Sequence, residues 1–151
     1  MKKKFLSGSF ISLILFVSLV SFSSPPVNGL VGDILDYTNK FRKSKGLGTL
    51  IMNEGLNAIA QKHSEDMARG RVEFGHSGFN DRYNLASKKI KGFKTFAENV
   101  AYGARSGKEV VTMWKNSSGH RRNMLGHYRY IGIGTAKDRR GVIYYTQVFA
   151  N

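Results

Sequence analysis

The chain predicts an α+β fold, a single domain in which helices come first and an antiparallel sheet closes the sequence. Apolar residues recur at helical spacing over residues 32–45 and 53–69. The period changes to two over residues 130–136 and 142–149, which is typical of two strands. The 151 residues include no cysteine, so a buried apolar core must hold the fold together, and a domain of this size can form one.

The N-terminal residues predict an export signal. Lysines at positions 2–4 precede an apolar run over residues 5–22, and small serines follow before two prolines. We expect cleavage after Ser23, which divides the chain into a signal peptide (1–23), a linker (24–30) and a folded domain (31–151). The apolar run is close to the ~18-residue lower limit for a bilayer span, so an uncleaved N-terminal anchor is the alternative. Both alternatives predict a secreted or cell-envelope protein.

The formal net charge of +14 predicts attraction to polyanions. Without the three lysines of the leader, the charge is 14 − 3 = +11. Outside a cell the expected partners are anionic lipid or an acidic cell-envelope polymer, and no specific nucleic acid is expected. The alternative is that scattered lysines keep an exported domain soluble. An exported domain without cysteine also indicates a bacterial source.

Two helices are predicted in the first part of the domain. Ile34 and Phe41 share one face of a helix over residues 32–45, which ends at a glycine pair. Asn53 is a suitable N-cap for a second helix that runs to about Arg69.

The middle of the domain is less regular. Residues 71–94 are predicted as loops, with one or two helical turns around residues 81–87, and residues 96–101 as a short extended or irregular segment. Ser106 and Glu109 form a capping-box pattern that starts a helix.

A short helix over residues 120–125 and a hairpin complete the predicted elements. Gly132 and Gly134 occupy one face of the first hairpin strand. Glycines in such positions leave room for another element, or a ligand, to approach closely.

Three segments far apart in the chain each offer one side chain that can bind metal or transfer protons. They contain His76 between glycine and serine, Glu98 between alanine and asparagine, and His120 between glycine and arginine. Two imidazoles and a carboxylate, if the fold brings them together, could hold a divalent metal, zinc above all, or act in acid–base chemistry. The sequence therefore predicts a candidate site at these three residues.

The order and spacing of these segments resemble the CAP superfamily, which comprises the cysteine-rich secretory proteins, antigen 5 and the plant pathogenesis-related 1 proteins (the SCP domain). The matching segments are residues 35–42, 60–68, 75–77, 97–101, 114–125, 131–134 and 145–149. The resemblance implies a three-layer α-β-α sandwich with a central antiparallel sheet. It also implies extracellular placement and a large central cleft whose floor carries the His and Glu side chains.

The sequence is similar to the bacterial, cysteine-free branch and departs from the animal and plant pattern at two positions. Tyr144 stands where those proteins have a histidine, and Ser117 stands where they have a glutamate. We infer that His120 replaces the missing imidazole. Tyr144, Ser117 and Asn99 are predicted to line the cleft, although Tyr144 could equally pack between layers and Asn99 could tie loops together through its amide.

Each candidate also has a purely structural interpretation. Glu98 could be a buried carboxylate satisfied by backbone N–H groups. His120 could start its helix and bond to a carbonyl, although arginine neighbours and the helix end are expected to lower its pKa and keep it neutral. His63 falls on the core-facing stripe of the second helix and is expected to be a satisfied interior histidine, whereas His127 is expected in a surface loop. Four apolar side chains are expected to pack in the core: Trp114, Met113, Phe96 and Phe149.

Two functions follow from these residues. The first is an exported, non-catalytic domain whose cleft holds a small ligand, a lipid or a divalent metal, and whose basic surface meets anionic envelope components or a partner. The second is a metal-dependent hydrolase in which His76 and His120 ligate zinc and Glu98 ligates it or acts as base. A metal-free carboxylate–imidazole hydrolase is a third option. The sequence has no catalytic cysteine, His-Glu-x-x-His helix, Gly-x-Ser-x-Gly elbow or phosphate-binding loop, so the binding domain is preferred.

Overall fold

The computed structural model describes residues 29–151, and the predicted signal peptide and its cleavage site lie outside them. The elements are α1 (Leu30–Lys43), β1 (Ile51–Met52), α2 (Glu54–Ala68), α3 (Phe79–Lys89), β2 (Phe96–Tyr102), α4 (Gly107–Asn116), α5 (Ser118–Met124), β3 (Tyr130–Lys137) and β4 (Ile143–Ala150). No helix of this part of the chain combines the length and apolar character needed to span a membrane.

The four strands form one sheet in the order β1-β3-β4-β2. The predicted hairpin β3–β4 is antiparallel, and β2 adds to β4 antiparallel, in register from Phe96 opposite Ala150 to Tyr102 opposite Tyr144. The expected antiparallel sheet has one addition, the short strand β1, which pairs in parallel with the start of β3. A strand of two residues is too short to leave a periodic signal in the sequence.

Helices cover both faces of this sheet, which confirms the three-layer sandwich. Along β4 the side chains alternate, so that Tyr145 and Phe149 join one core with α1 and α4. Val148 and Ala150 join a second core with α2 and α3 on the other face. The sheet is therefore buried between α1 and α4 on one side and α2 and α3 on the other.

Helix α2 lies directly on strand β3. A Cβ atom added to Gly132 would lie 2.2 Å from the backbone of Leu56, and one added to Gly134 would lie 2.2 Å from the backbone of Gln61. Gln61 also bonds the Thr135 N–H and C=O, so a helix side chain satisfies strand groups that no neighbouring strand reaches. The two glycines thus allow helix α2 to approach β3 closely. The sequence had predicted a close approach either by another element or by a ligand.

Both predicted N-caps are present. The Asn53 side chain accepts a hydrogen bond from the Leu56 N–H at the start of α2, and the Ser106 hydroxyl accepts one from the Glu109 N–H at the start of α4. The Glu109 carboxylate in turn accepts from the N–H of Arg105.

The sequence underestimated two elements and misplaced one side chain. Helix α3 has 11 residues, more than the one or two turns predicted. Its buried face carries Arg82 and Ala86, an i, i+4 pair that does not form an apolar stripe in the sequence. Residues 96–102 form a full strand of the sheet. Met113 was expected in the core, but it is 43% exposed, whereas Trp114 beside it is buried.

Candidate functional site

Glu98 is the centre of a buried polar cluster. It lies on β2 with its side chain fully buried, and both of its oxygens accept hydrogen bonds from the Arg82 guanidinium, at 2.5 Å and 2.7 Å. The same carboxylate accepts a 2.8 Å bond from Nδ1 of His76. The side chain therefore has cationic and imidazole partners, where the sequence had left backbone N–H groups as the structural alternative.

Arg82 is held in place by more than its carboxylate. Its Nη1 donates to the Ser77 carbonyl at 2.8 Å, so helix α3 also fixes the loop that carries His76. Close packing at the start of this helix leaves little room, because a Cβ on Gly78 would lie 3.2 Å from the same Nη1. The guanidinium, the carboxylate and the His76 loop are thus one rigid unit.

His63 is the interior histidine that the sequence predicted, and it adjoins the same cluster. It is 3% exposed, and its Nε2 lies 2.9 Å from the Gly75 carbonyl. Because a carbonyl oxygen only accepts, Nε2 carries the hydrogen. Burial, the main cause, and the nearby charge of Arg82 lower the pKa of His63, so this ring is neutral at pH 7.

His120 approaches the cluster from the other side of the sheet. Successive side chains of a strand point to opposite faces, so Glu98 faces α2 and α3 while Asn99 faces α5. The Asn99 amide donates to the backbone carbonyl of His120 at 3.2 Å, and Asn123 of α5 donates to the Glu98 carbonyl at 3.0 Å. Since β2 is an edge strand, the loop with His76 and the helix with His120 flank its open side.

The electrostatic environment keeps His120 neutral, as predicted, for a different reason. Burial is the main cause of its lowered pKa, and the charge of His76 is the second. Neither the arginine neighbours nor the short helix accounts for the shift. The dependence on His76 places the two imidazoles within electrostatic reach of each other, although within residues 29–151 the ring of His120 has no hydrogen-bond partner.

An apolar cleft runs along the edge strand and has His120 on its wall. It has a volume of about 480 Å³ and is lined by Phe74, Val100, Ala101, Tyr102, Met113, Trp114, Ser117 and His120. Phe74, Tyr102 and Met113 are three of the exposed large apolar side chains of the described chain. Their exposure around one concave surface makes this edge cleft a ready site for an apolar group.

The three residues predicted to line the cleft lie in different places. Ser117 does line the edge cleft. Asn99 is fully buried, and its amide ties β2 to α5. Tyr144 stacks on Tyr102, with ring centroids 5.7 Å apart, and lines a separate groove at the hairpin end of the sheet.

Arg82 and the approach of His63 to Glu98 were missed by sequence reasoning. A fully buried carboxylate needs a partner, and this requirement could have directed attention to the arginine in the weakly periodic segment before it. His63 Nε2 lies 3.9 Å from Glu98, a proximity that arises only when α2 packs on the face of the sheet.

The donor set does not fit a three-ligand metal site in this arrangement. Both Glu98 oxygens are engaged by Arg82, and residues 29–151 contain no group of three or more His, Cys, Asp or Glu side chains placed to hold a metal ion. Zinc binding by His76, Glu98 and His120 stays a prediction, and it would require Glu98 to leave the guanidinium.

Comparison with known proteins gives concordant matches. The model of the CAP family, described as the cysteine-rich secretory protein family, matches residues 35–149. The protein YkwD of Bacillus subtilis (strain 168) is 33% identical over 104 residues, covering 67% of this chain. The membrane protein YlbC of the same organism is 35% identical over 121 residues, covering 77% of this chain. The chain spans only 40% and 33% of the lengths of these two relatives.

Solved structures match over most of the described chain. An extracellular protein containing an SCP domain from Bacillus anthracis superposes with a TM-score of 0.69 at 31% identity, covering 81% of this chain and 40% of that one. A cysteine-rich secretory protein from Staphylococcus aureus gives 0.65 at 29% identity, covering 80% and 38%. An outer surface protein from Borrelia burgdorferi gives 0.68 at 20% identity, covering 78% and 89%, and supports the fold alone.

Proposed function

The chain belongs to the CAP family of cysteine-rich secretory proteins, and from this premise we propose that it is an exported binding module rather than an enzyme. Its edge cleft takes an apolar ligand of the lipid class, and its basic surface contacts anionic components of the cell envelope. Export is supported by the predicted signal peptide and by the similarity to a Bacillus anthracis protein described as extracellular.

The observation that carries this proposal is the contrast between the buried carboxylate and the cleft beside it. The Glu98 oxygens accept hydrogen bonds from Arg82 and His76, so this carboxylate is not free to take a proton from a substrate. The adjoining cleft presents exposed apolar side chains, Phe74, Tyr102 and Met113, with His120 as a polar group on its wall. This combination favours binding of an apolar chain with one polar end.

Binding of lysophosphatidylcholine, a zwitterionic probe, tests the proposal below its micelle concentration. We expect saturable binding by calorimetry that Met113→Gln weakens at least about fivefold, because the variant places an amide in an apolar wall. The matched control is Leu85→Gln, another exposed apolar helix residue, which lines the separate cavity between α2 and α3. Absence of saturable binding, or equal losses in the two variants, would refute the edge cleft as the ligand site.

Zinc is the competing occupant and is tested with the same protein. Calorimetry with zinc alone, on the parent and on His76→Ala, separates the two functions. Micromolar binding that is lost in the variant would favour the metal-dependent hydrolase over the lipid-binding module.

A further inference from the structure

A second groove lies at the end of the sheet where the β3–β4 hairpin turns. It has a volume of about 960 Å³, and its charged lining comprises Arg69, Arg71, Lys137, Asp138, Arg139 and Arg140. The cations come from two walls, because the first two follow helix α2 and the others belong to the hairpin turn. We name this surface the cationic groove, defined by its five cationic residues.

The acidic residues near the groove orient the cations and leave them accessible. Glu65, Asp66 and Asp138 pair with Arg69, Arg71 and Arg140 in that order. The three arginine side chains are 54% to 79% exposed, whereas the three carboxylates are 9% to 33% exposed. Exposed pairs of this kind are weak, and each guanidinium keeps N–H groups for another acceptor.

The two aspartates among these carboxylates, Asp66 and Asp138, remain ionised at neutral pH. Bonds from Lys62, and then Arg71, hold the pKa of Asp66 below its usual range despite some burial. At Asp138 burial opposes ionisation, but hydrogen bonds from Val142 N–H and Arg140 outweigh it and lower the pKa. Lys137 and Arg139 have no acidic partner within the described residues, so the groove keeps a positive excess.

We propose that the cationic groove binds a linear polymer linked by phosphodiesters, which makes the anionic partner of the proposed function specific. Four of its five cations are arginines, whose planar forks suit phosphate oxygens. The two cationic walls suit a group that accepts hydrogen bonds from both walls at once, as the oxygens of a tetrahedral phosphate can. A flat bilayer is a poorer fit, because the groove is concave and its lining contributes none of the exposed large apolar side chains of the described chain.

One side of the cationic groove is formed by an aromatic residue. Tyr144 lines the groove and stacks on Tyr102, which belongs to the edge cleft. The two surfaces are therefore adjacent along one end of the sheet.

The test uses the full purified chain and a fluorescent poly(glycerol phosphate) oligomer as probe, with affinity measured by anisotropy over a range of salt. The groove variant is Arg69→Gln, Lys137→Gln and Arg139→Gln. The matched control is Lys43→Gln, Lys91→Gln and Lys94→Gln, which removes the same charge at the opposite end of the sheet, where Lys94 bonds Asn151. We expect the groove variant to bind at least about tenfold more weakly at low salt, with a log–log salt slope smaller by about 2, and the control to change little.

The outcomes separate this inference from the proposed function on which it rests. Equal losses in both triple variants would refute the groove but leave a diffuse electrostatic contact with the envelope. Binding of phosphatidylglycerol vesicles with the same dependence on the groove residues would overturn the polymer in favour of a membrane. Equal affinity for a polyglutamate of matched charge would overturn the phosphate specificity. Failure of the parent to bind any polyanion would refute both the inference and the envelope contact.

Discussion

At the level of single residues, the partners of the Glu98 carboxylate decide whether this residue has a chemical or a structural role. Glu98 has the residue type and position expected of a ligand or base, yet its partner Arg82 makes it a structural anchor for the His76 loop. A buried carboxylate that loses its cationic partner is strongly destabilising, because it cannot reach water and the remaining bond from His76 does not replace the charge of Arg82. The same chemistry that would suit catalysis is used here to hold two elements together.

Replacing Arg82 by alanine should therefore cost about 3–5 kcal/mol of the free energy of unfolding, measured by urea denaturation. The control is Arg69→Ala, which breaks the exposed pair with Glu65 and should cost at most about 1 kcal/mol. Similar costs in the two variants would contradict the anchoring role of Arg82.

The neutral state of His63 predicts a dependence of stability on pH. Burial is the main cause that lowers the pKa of His63 below its ordinary value of 6.5, so as the pH falls the unfolded chain takes up the proton first. The contribution of His63 to the free energy of unfolding is thus fully present above about pH 6.5. It is lost progressively as the pH falls from there to the lowered pKa of the folded state. The slope in this range is at most about 1.4 kcal/mol per pH unit.

Urea denaturation between pH 7 and about pH 5 measures this slope. His63→Gln should reduce it without abolishing it, because burial and His76 also lower the pKa of His120. The exposed His127→Gln should leave it unchanged. A slope that His63→Gln does not alter would show that the buried imidazole is not its source.

At the scale of elements, the sequence predicted what periodicity and capping can express. Helices α1, α2 and α4 and the hairpin were expected close to where they lie, because each has its own signal in the sequence. These signals are an apolar stripe at helical spacing, an N-cap residue, or an alternation of side chains with a period of two. The strand β1 and the length of α3 were not, since two residues show no period and α3 buries an arginine. Strand β2 explains why the site is divided. Glu98 and Asn99 point to opposite faces of the sheet, so Glu98 contacts His76 and Arg82 while Asn99 holds the backbone of His120.

The contact of α2 with β3 makes Gly134 intolerant of any side chain. Alanine there would place Cβ 2.2 Å from the backbone of Gln61, and we expect a loss of about 3 kcal/mol or more in the free energy of unfolding. The control is Gly48→Ala, where nothing lies within 4 Å and the effect should be small. A thermal or urea unfolding curve checks both, and a tolerated Gly134→Ala would mean that the helix is not seated on the strand.

At the scale of the whole molecule, the two candidate surfaces share one end of the sheet and have different chemistry. The edge cleft is apolar with a neutral imidazole, and the cationic groove is lined by arginines. The net charge predicted attraction to polyanions but not its location, because the hairpin turn and the end of α2 meet only in the folded chain. The two proposals therefore assign an apolar ligand and an anionic polymer to adjacent surfaces of one domain.

The location of the apolar ligand is tested most directly by amide chemical shifts during titration with lysophosphatidylcholine. We predict saturable shifts at residues 100–102 and 113–120, which line the edge cleft, and unchanged signals at residues 58–62 and 81–89, which border the cavity between α2 and α3. Shifts confined to the second set, or no shifts at all, would contradict the account.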